Sequence, residues 1–85
     1  MPKYRLFVIF KTSETVNDVE LIRHVVDEIE DECLVYARSC IVERQSDIHW
    51  RFDVKSKNSV IVHHLVDLLL SKDEVQTYYM SRIKD

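Results

Sequence analysis

An α+β fold, a four-stranded antiparallel sheet carrying two helices on one of its faces, is what the sequence predicts. Three observations predict it. The chain has 85 residues, enough for one core and too few for two domains with a cleft between them. Hydrophobic residues at 46% and charged residues at 32% are globular proportions, which set aside a disordered or collagen-like chain. The hydrophobic spacing switches between a period of two and a period near 3.6, in the order strand, helix, strand, strand, helix, strand.

Residues 4–11, YRLFVIFK, are β-branched and aromatic with a charge toward each end. They read as a strand, central in the sheet because both faces are apolar. The polar stretch 12–18 follows, and Asn17 three residues before Glu20 has the spacing of a capping box. A helix is expected from there. Val19, Ile22, Val26, Ile29 and Cys33 recur at three and four, widened by Leu21 and Val25, while the carboxylates fall largely on the other side.

Leu34 to Glu43 and Ile48 to Lys55 read as two strands joined by RQSD, residues 44–47, a connection short enough for a hairpin. In the second, Ile48, Trp50, Phe52 and Val54 share one face and His49, Arg51, Asp53 and Lys55 the other, so one side alone is buried. Lys57, Asn58 and Ser59 offer a cap for a second helix, whose apolar stripe is residues 61, 62, 65, 66, 68 and 69. Val75 to Ile83, VQTYYMSRI, has strand composition; its competitor is a continuation of the second helix. The order βαββαβ with short connections is the split βαβ, or ferredoxin-like, arrangement, with the first and third strands central.

The composition also removes whole classes of chemistry. With no glycine and a single proline, the chain cannot build phosphate-binding loops, dinucleotide fingerprints or nucleophile elbows, which need backbone in close approach or at positive φ. Cys33 and Cys40 lack CxxC spacing and read as reduced, cytosolic thiols. The apolar runs, Leu6 to Phe10 and Leu68 to Leu70 among them, fall far short of the ~20 residues a membrane span needs, so a soluble, cytoplasmic chain is expected. His63 and His64 are adjacent and diverge by about 100° on a helix, which disfavours a metal pair. Neither a Ser/His/Asp order nor a carboxylate pair in an apolar setting stands out.

Charge is polarised along the chain. Residues 14–32 hold eight carboxylates against Arg23 alone, whereas the remainder holds eleven Lys and Arg against seven acids. A solvated helix face explains this, and an acidic helix that docks a basic partner is the sharper reading. On the face of the sheet away from the helices, the phase set by Trp50 and Phe52 is expected to place Arg5, Phe7, Ile9 and Lys11, then Tyr36, Arg38 and Cys40. His49, Arg51 and Lys55 join them, followed by Tyr78, Met80 and Arg82. Aromatics among cations suit single-stranded RNA. The third strand, however, turns Trp50 and Phe52 inward, and the net charge of −3 opposes phosphate. An apolar patch of Phe7, Ile9, Tyr78 and Met80 fits a protein interface better, and sheet-face or edge pairing would give a twofold homodimer.

The segment from Arg38 to Ile83, with RSCIVE, HWRFDV, HHLVDLLL and VQTYYMSRI in turn, resembles an ACT-like domain. It is most similar to the cytosolic C-terminal domain of MgtC-type membrane proteins. The resemblance implies a regulatory or docking role, and a membrane link only through a parent protein. Amino-acid-binding ACT domains carry glycine in the turn after the first strand; here that turn reads KTSETVND, which argues against amino-acid binding. Residues 1–85 are thus expected to form one ACT-like domain, non-catalytic and without cofactor or metal, acting as a homodimer or on a protein partner. The expected interface is Phe7, Ile9, Tyr36, Arg38, Arg51, Tyr78 and Met80. The alternatives are a small dimeric α+β-barrel enzyme of monooxygenase type and a sheet-face RNA-binding domain.

Overall fold

The computed structural model describes residues 3–11, 18–57 and 59–83. Its elements are β1 (Lys3–Phe10), α1 (Asp18–Tyr36), β2 (Ser39–Arg44), β3 (His49–Lys55), α2 (Ser59–Leu70) and β4 (Val75–Ile83). The strands lie in the order β2-β3-β1-β4, every neighbour antiparallel. This is the expected ferredoxin-like order, with β1 and β3 inside and β4 a strand rather than more of α2. Asn17 and Asn58, read as caps, lie outside the described residues.

The core sits between sheet and helices because each element has one apolar side to hide. Leu6, Val8 and Phe10 of β1 and Trp50, Phe52 and Val54 of β3 point one way, and Ile22, Val25, Val26, Ile29 and Cys33 of α1 meet them with Leu65 and Leu69 of α2. Side chains of this size contribute about 1.5–3 kcal/mol each when fully buried. Trp50 closes the hairpin end of the core. Its Nε1 donates to the Asp47 carbonyl at 3.3 Å, and the guanidinium groups of Arg23 and Arg44 lie 5.4 and 5.9 Å from its ring. The hairpin itself is tied by amides: Gln45 and Ser46 donate to the His49 carbonyl at 2.8 and 3.0 Å, and His49 N donates back to Ser46 Oγ at 3.1 Å.

One boundary differs from the reading of the sequence. The stretch 34–36 closes α1 instead of opening β2, so Tyr36 is helical. Ala37 N still reaches the Cys33 carbonyl at 2.7 Å, and only at Arg38 does the amide turn to the sheet, to Lys55 O at 2.9 Å. Burial of Cys33 between the layers keeps that turn helical, while Leu34 and Val35 stay exposed on its outside. Composition alone made LVY look like strand. His64 of α2 meets Glu32 of α1, Nε2 to Oε2 at 3.3 Å, and Lys72, in the link after α2, reaches Glu28 of α1, Nζ to Oε2 at 2.7 Å.

Candidate interaction surface on the open sheet face

Residues directly opposite one another in an antiparallel pair share a face. The register therefore assigns the helix-free side of the sheet to Lys3, Arg5, Phe7 and Ile9 of β1 and to His49, Arg51, Asp53 and Lys55 of β3. From the edges it adds Ser39, Ile41 and Glu43 of β2 and Thr77, Tyr79, Ser81 and Ile83 of β4. Phe7, Ile9 and Arg51 lie where the alternation put them. Tyr78 and Met80 do not: they pair with Val8 and Leu6 and face the helices, and Arg82 pairs with Tyr4 on that side. Cys40, opposite Val54, also turns inward, and Arg38 precedes β2.

The reason for the β4 reversal is local. Phe10 pairs with Val75 but Ile9 with Thr77, so Gln76 is an extra residue, a bulge. A bulge inverts the alternation on either side of itself. Val75 faces the helices as an apolar first residue should, and beyond the bulge Tyr78, not Tyr79, continues that face. Tyr79, Ile41 and Ile83 are thus open-face residues that the alternation alone does not reveal.

The surface has two zones. In the first, Asp53 is 5% exposed and collects the surrounding cations. Arg5 Nε donates to its Oδ1 at 2.9 Å and Arg5 Nη2 to Oδ2 at 3.2 Å, a two-pronged pair of the strong kind. Arg51 Nε lies 3.7 Å and Lys3 Nζ 4.0 Å from Oδ2, and Arg51 also pairs with Glu43. The Arg5 hydrogen bond holds the Asp53 carboxyl below its ordinary range against the opposing effect of burial. Such a carboxylate stays ionised at neutral pH and serves as an anchor.

In the second zone, Phe7 stacks on Tyr79 with centroids 4.8 Å apart and planes at 23°, and meets His49 at 5.4 Å and 45°. Tyr79 is 53% and Ile41 57% exposed. His49 Nε2 is covered and has no hydrogen-bond partner among the described residues. The arrangement is an apolar patch of Phe7, Tyr79, Ile9 and His49 on β1, β4 and β3, with Ile41 and Ile83 set apart from it by the polar ladder of Arg5, Asp53, Arg51 and Lys3. A patch like this can bury apolar area against a protein surface. It is poorly suited to phosphates, because Lys3, Arg5 and Arg51 already turn their charge toward Asp53 and Glu43.

Elsewhere, the Cys33 and Cys40 thiols are free and hydrogen-bond to each other between α1 and β2; that bond and burial push Cys33 far upward in pKa, leaving it a packing group rather than a nucleophile. Among the described residues no three His, Cys, Asp or Glu side chains gather as metal ligands, and no helix is long and apolar enough to cross a membrane.

No family model and no curated protein matches this sequence. Solved structures do match its shape. The structured domain of Caenorhabditis elegans BMY-1 aligns at a TM-score of 0.71 and 13% identity, over 98% of this chain and 97% of that one. An antibiotic biosynthesis monooxygenase aligns at 0.70 and 9% identity, over 100% and 98%. The C-terminal domain of the MgtC protein from Mycobacterium tuberculosis aligns at 0.60 and 13% identity, over 98% and 88%. At such identities the likeness establishes the ferredoxin-like α+β fold, and the resemblance to MgtC is one of shape shared with monooxygenase-type proteins.

Proposed function

We propose that this chain is a non-catalytic, cytoplasmic interaction module that binds protein through the open face of its sheet, a second copy of itself being the first partner. The observation that carries the reading is the stack of half-buried Phe7 on exposed Tyr79, across β1 and the edge strand β4 of a helix-free sheet face. The stacked aromatics beside Ile9 form an apolar patch of the kind that marks interfaces. Burying it contributes on the order of 25 cal/mol per Å² of apolar area, offset in part by the entropy of association. The charged ladder beside it is paired around Asp53 and Glu43 with an excess of Lys and Arg, so it sets register at a desolvation cost that the apolar patch must offset.

The likeness to a monooxygenase structure favours a second reading, an enzyme of small dimeric α+β-barrel type. What weighs against it is the layer where such a pocket would open. Leu6, Phe10, Ile29, Phe52, Leu65 and Leu69 fill that layer and are 2% exposed or less. The test is a pair of substitutions read by light scattering and circular dichroism. Ile9→Lys, which plants an unpaired charge in the apolar patch, yields folded protein of lower mass than wild type. Asp31→Lys, on the outer side of α1, leaves the mass unchanged. A folded Ile9→Lys variant with the wild-type mass contradicts the reading.

A further inference from the structure

Cys33 and Cys40 are the only two cysteines of the chain, and the fold brings them to one place. Cys33 lies in the last turn of α1 and is fully buried against the sheet. Cys40 is the second residue of β2. Opposite Val54, it turns toward the helices and packs on the same core from the edge of the sheet, half-buried. The link between them is held by backbone: Ala37 N donates to the Cys33 carbonyl at 2.7 Å, finishing the helix, and Arg38 N donates to the Lys55 carbonyl at 2.9 Å, opening the sheet.

The side chains meet there as a hydrogen-bonded pair of free thiols, one sealed in the core and one partly exposed. A single buried thiol packs as a small apolar group and needs no chemistry. Two in contact can do what neither does alone, because an oxidant that reaches the accessible sulfur leaves it beside a second one. A disulfide requires sulfurs about 2 Å apart on Cβ atoms about 4 Å apart, and thiols in hydrogen-bond contact are already near that geometry.

From this juxtaposition we infer that Cys33 and Cys40 form a hydroperoxide-reactive dithiol site, which closes to a reversible intramolecular disulfide pinning the end of α1 to the edge strand β2. The accessible Cys40 reacts first. Its Sγ attacks one oxygen of the hydroperoxide, the O–O bond breaks, and Cys40 becomes a sulfenic acid as water or an alcohol leaves. Cys33 Sγ then attacks Cys40 Sγ: the S–S bond forms, the S–O bond breaks, and the hydroxyl leaves with the Cys33 proton as water. The two thiols have lost two electrons and two protons, and the hydroperoxide has taken up both. In the reduced pair the bond to Cys40 and burial hold Cys33 protonated. Oxidation of Cys40 ends the first of these effects, which reserves the attack by Cys33 for that stage. The site lies on the helix side of the sheet, so it stands independently of the open-face reading.

Exposure of the native chain to hydrogen peroxide, followed by alkylation in denaturant and mass spectrometry, tests it. Wild type loses the mass of two hydrogen atoms, takes up no alkylating agent and yields a linked Cys33–Cys40 peptide. It keeps its circular dichroism spectrum, and dithiothreitol restores both thiols. Cys33→Ala stops at a sulfenic acid on Cys40 that dimedone traps, whereas in Cys40→Ala the buried Cys33 thiol oxidises at least about tenfold more slowly. A wild type that retains both thiols overturns the inference. So does one whose Cys40 passes to sulfinic acid or links between chains, or one whose disulfide forms only with loss of the circular dichroism spectrum. Equal oxidation rates in the two variants overturn the order of attack and with it the site. If Cys33→Ala does not fold, the wild-type peptide map decides alone.

Discussion

Trp50 is the residue on which the hairpin, α1 and the core converge. It is 5% exposed, bonded to the Asp47 carbonyl, and flanked by Arg23 and Arg44. Trp50→Ala is expected to cost about 3–5 kcal/mol, a large part of a small domain's stability. Denaturant titration measures it, and a native emission spectrum typical of a solvated indole would contradict the placement. Asp53 is the corresponding residue on the open face. Its folded-state pKa lies below the ordinary value of 3.8 because Arg5 bonds the ionised form. The stabilisation is thus complete above that ordinary value and fades as pH falls through the lower, folded one. Wild type should lose stability on acidification below about pH 4. Asp53→Asn, costing about 1–3 kcal/mol at neutral pH through the stranded guanidinium groups, should flatten that acid limb. Equal acid limbs in the two proteins would show that Asp53 is not the anchor.

At the level of elements, the strand with a strict alternation was fully legible. Ile48 to Val54 alternates without ambiguity, and the inward side of β3, with Leu6, Val8, Ile22, Val26, Leu65 and Leu69 packed on it, is the core the sequence implies. The two edge strands were harder, for a physical reason. An edge strand has one neighbour, so its own pattern constrains its phase weakly, and YY in β4 and IV in β2 place apolar residues on both faces. The bulge at Gln76 carries no glycine or proline to announce it. Of the seven residues expected at the interface, Phe7, Ile9 and Arg51 lie on the open face, Tyr78 and Met80 face the helices, Tyr36 is helical and Arg38 precedes β2, while Tyr79, Ile83 and Ile41 stand on the open face. This makes a test on β4 possible. Deleting Gln76 should leave Tyr78 opposite Val8 and alter stability by about 1 kcal/mol at most. Deleting Tyr78 slips the remainder of the strand by one residue, turns its faces over and should unfold the chain at room temperature. Thermal melts of the two deletions that coincide would refute the bulge.

Across the whole molecule, charge and apolar surface are segregated into layers. Residues 18–36 hold seven carboxylates against Arg23, on the helix layer, and the open sheet face holds Lys3, Arg5, Arg51 and Lys55 against Glu43 and Asp53. Two open faces meeting about a twofold axis bring like net charge together, so self-association through this face should strengthen as salt screens the repulsion. Binding of a polyanion there would weaken with salt instead. The most direct test of the central claim is the mass of wild type and of Ile9→Lys by light scattering, each from about 1 to 100 μM at low and moderate ionic strength. The open-face account predicts a wild type heavier than one chain, more so at the higher salt, and an Ile9→Lys protein of lower mass with an unchanged circular dichroism spectrum. A wild type of one chain's mass throughout that range, or a folded Ile9→Lys variant as heavy as wild type, would contradict it.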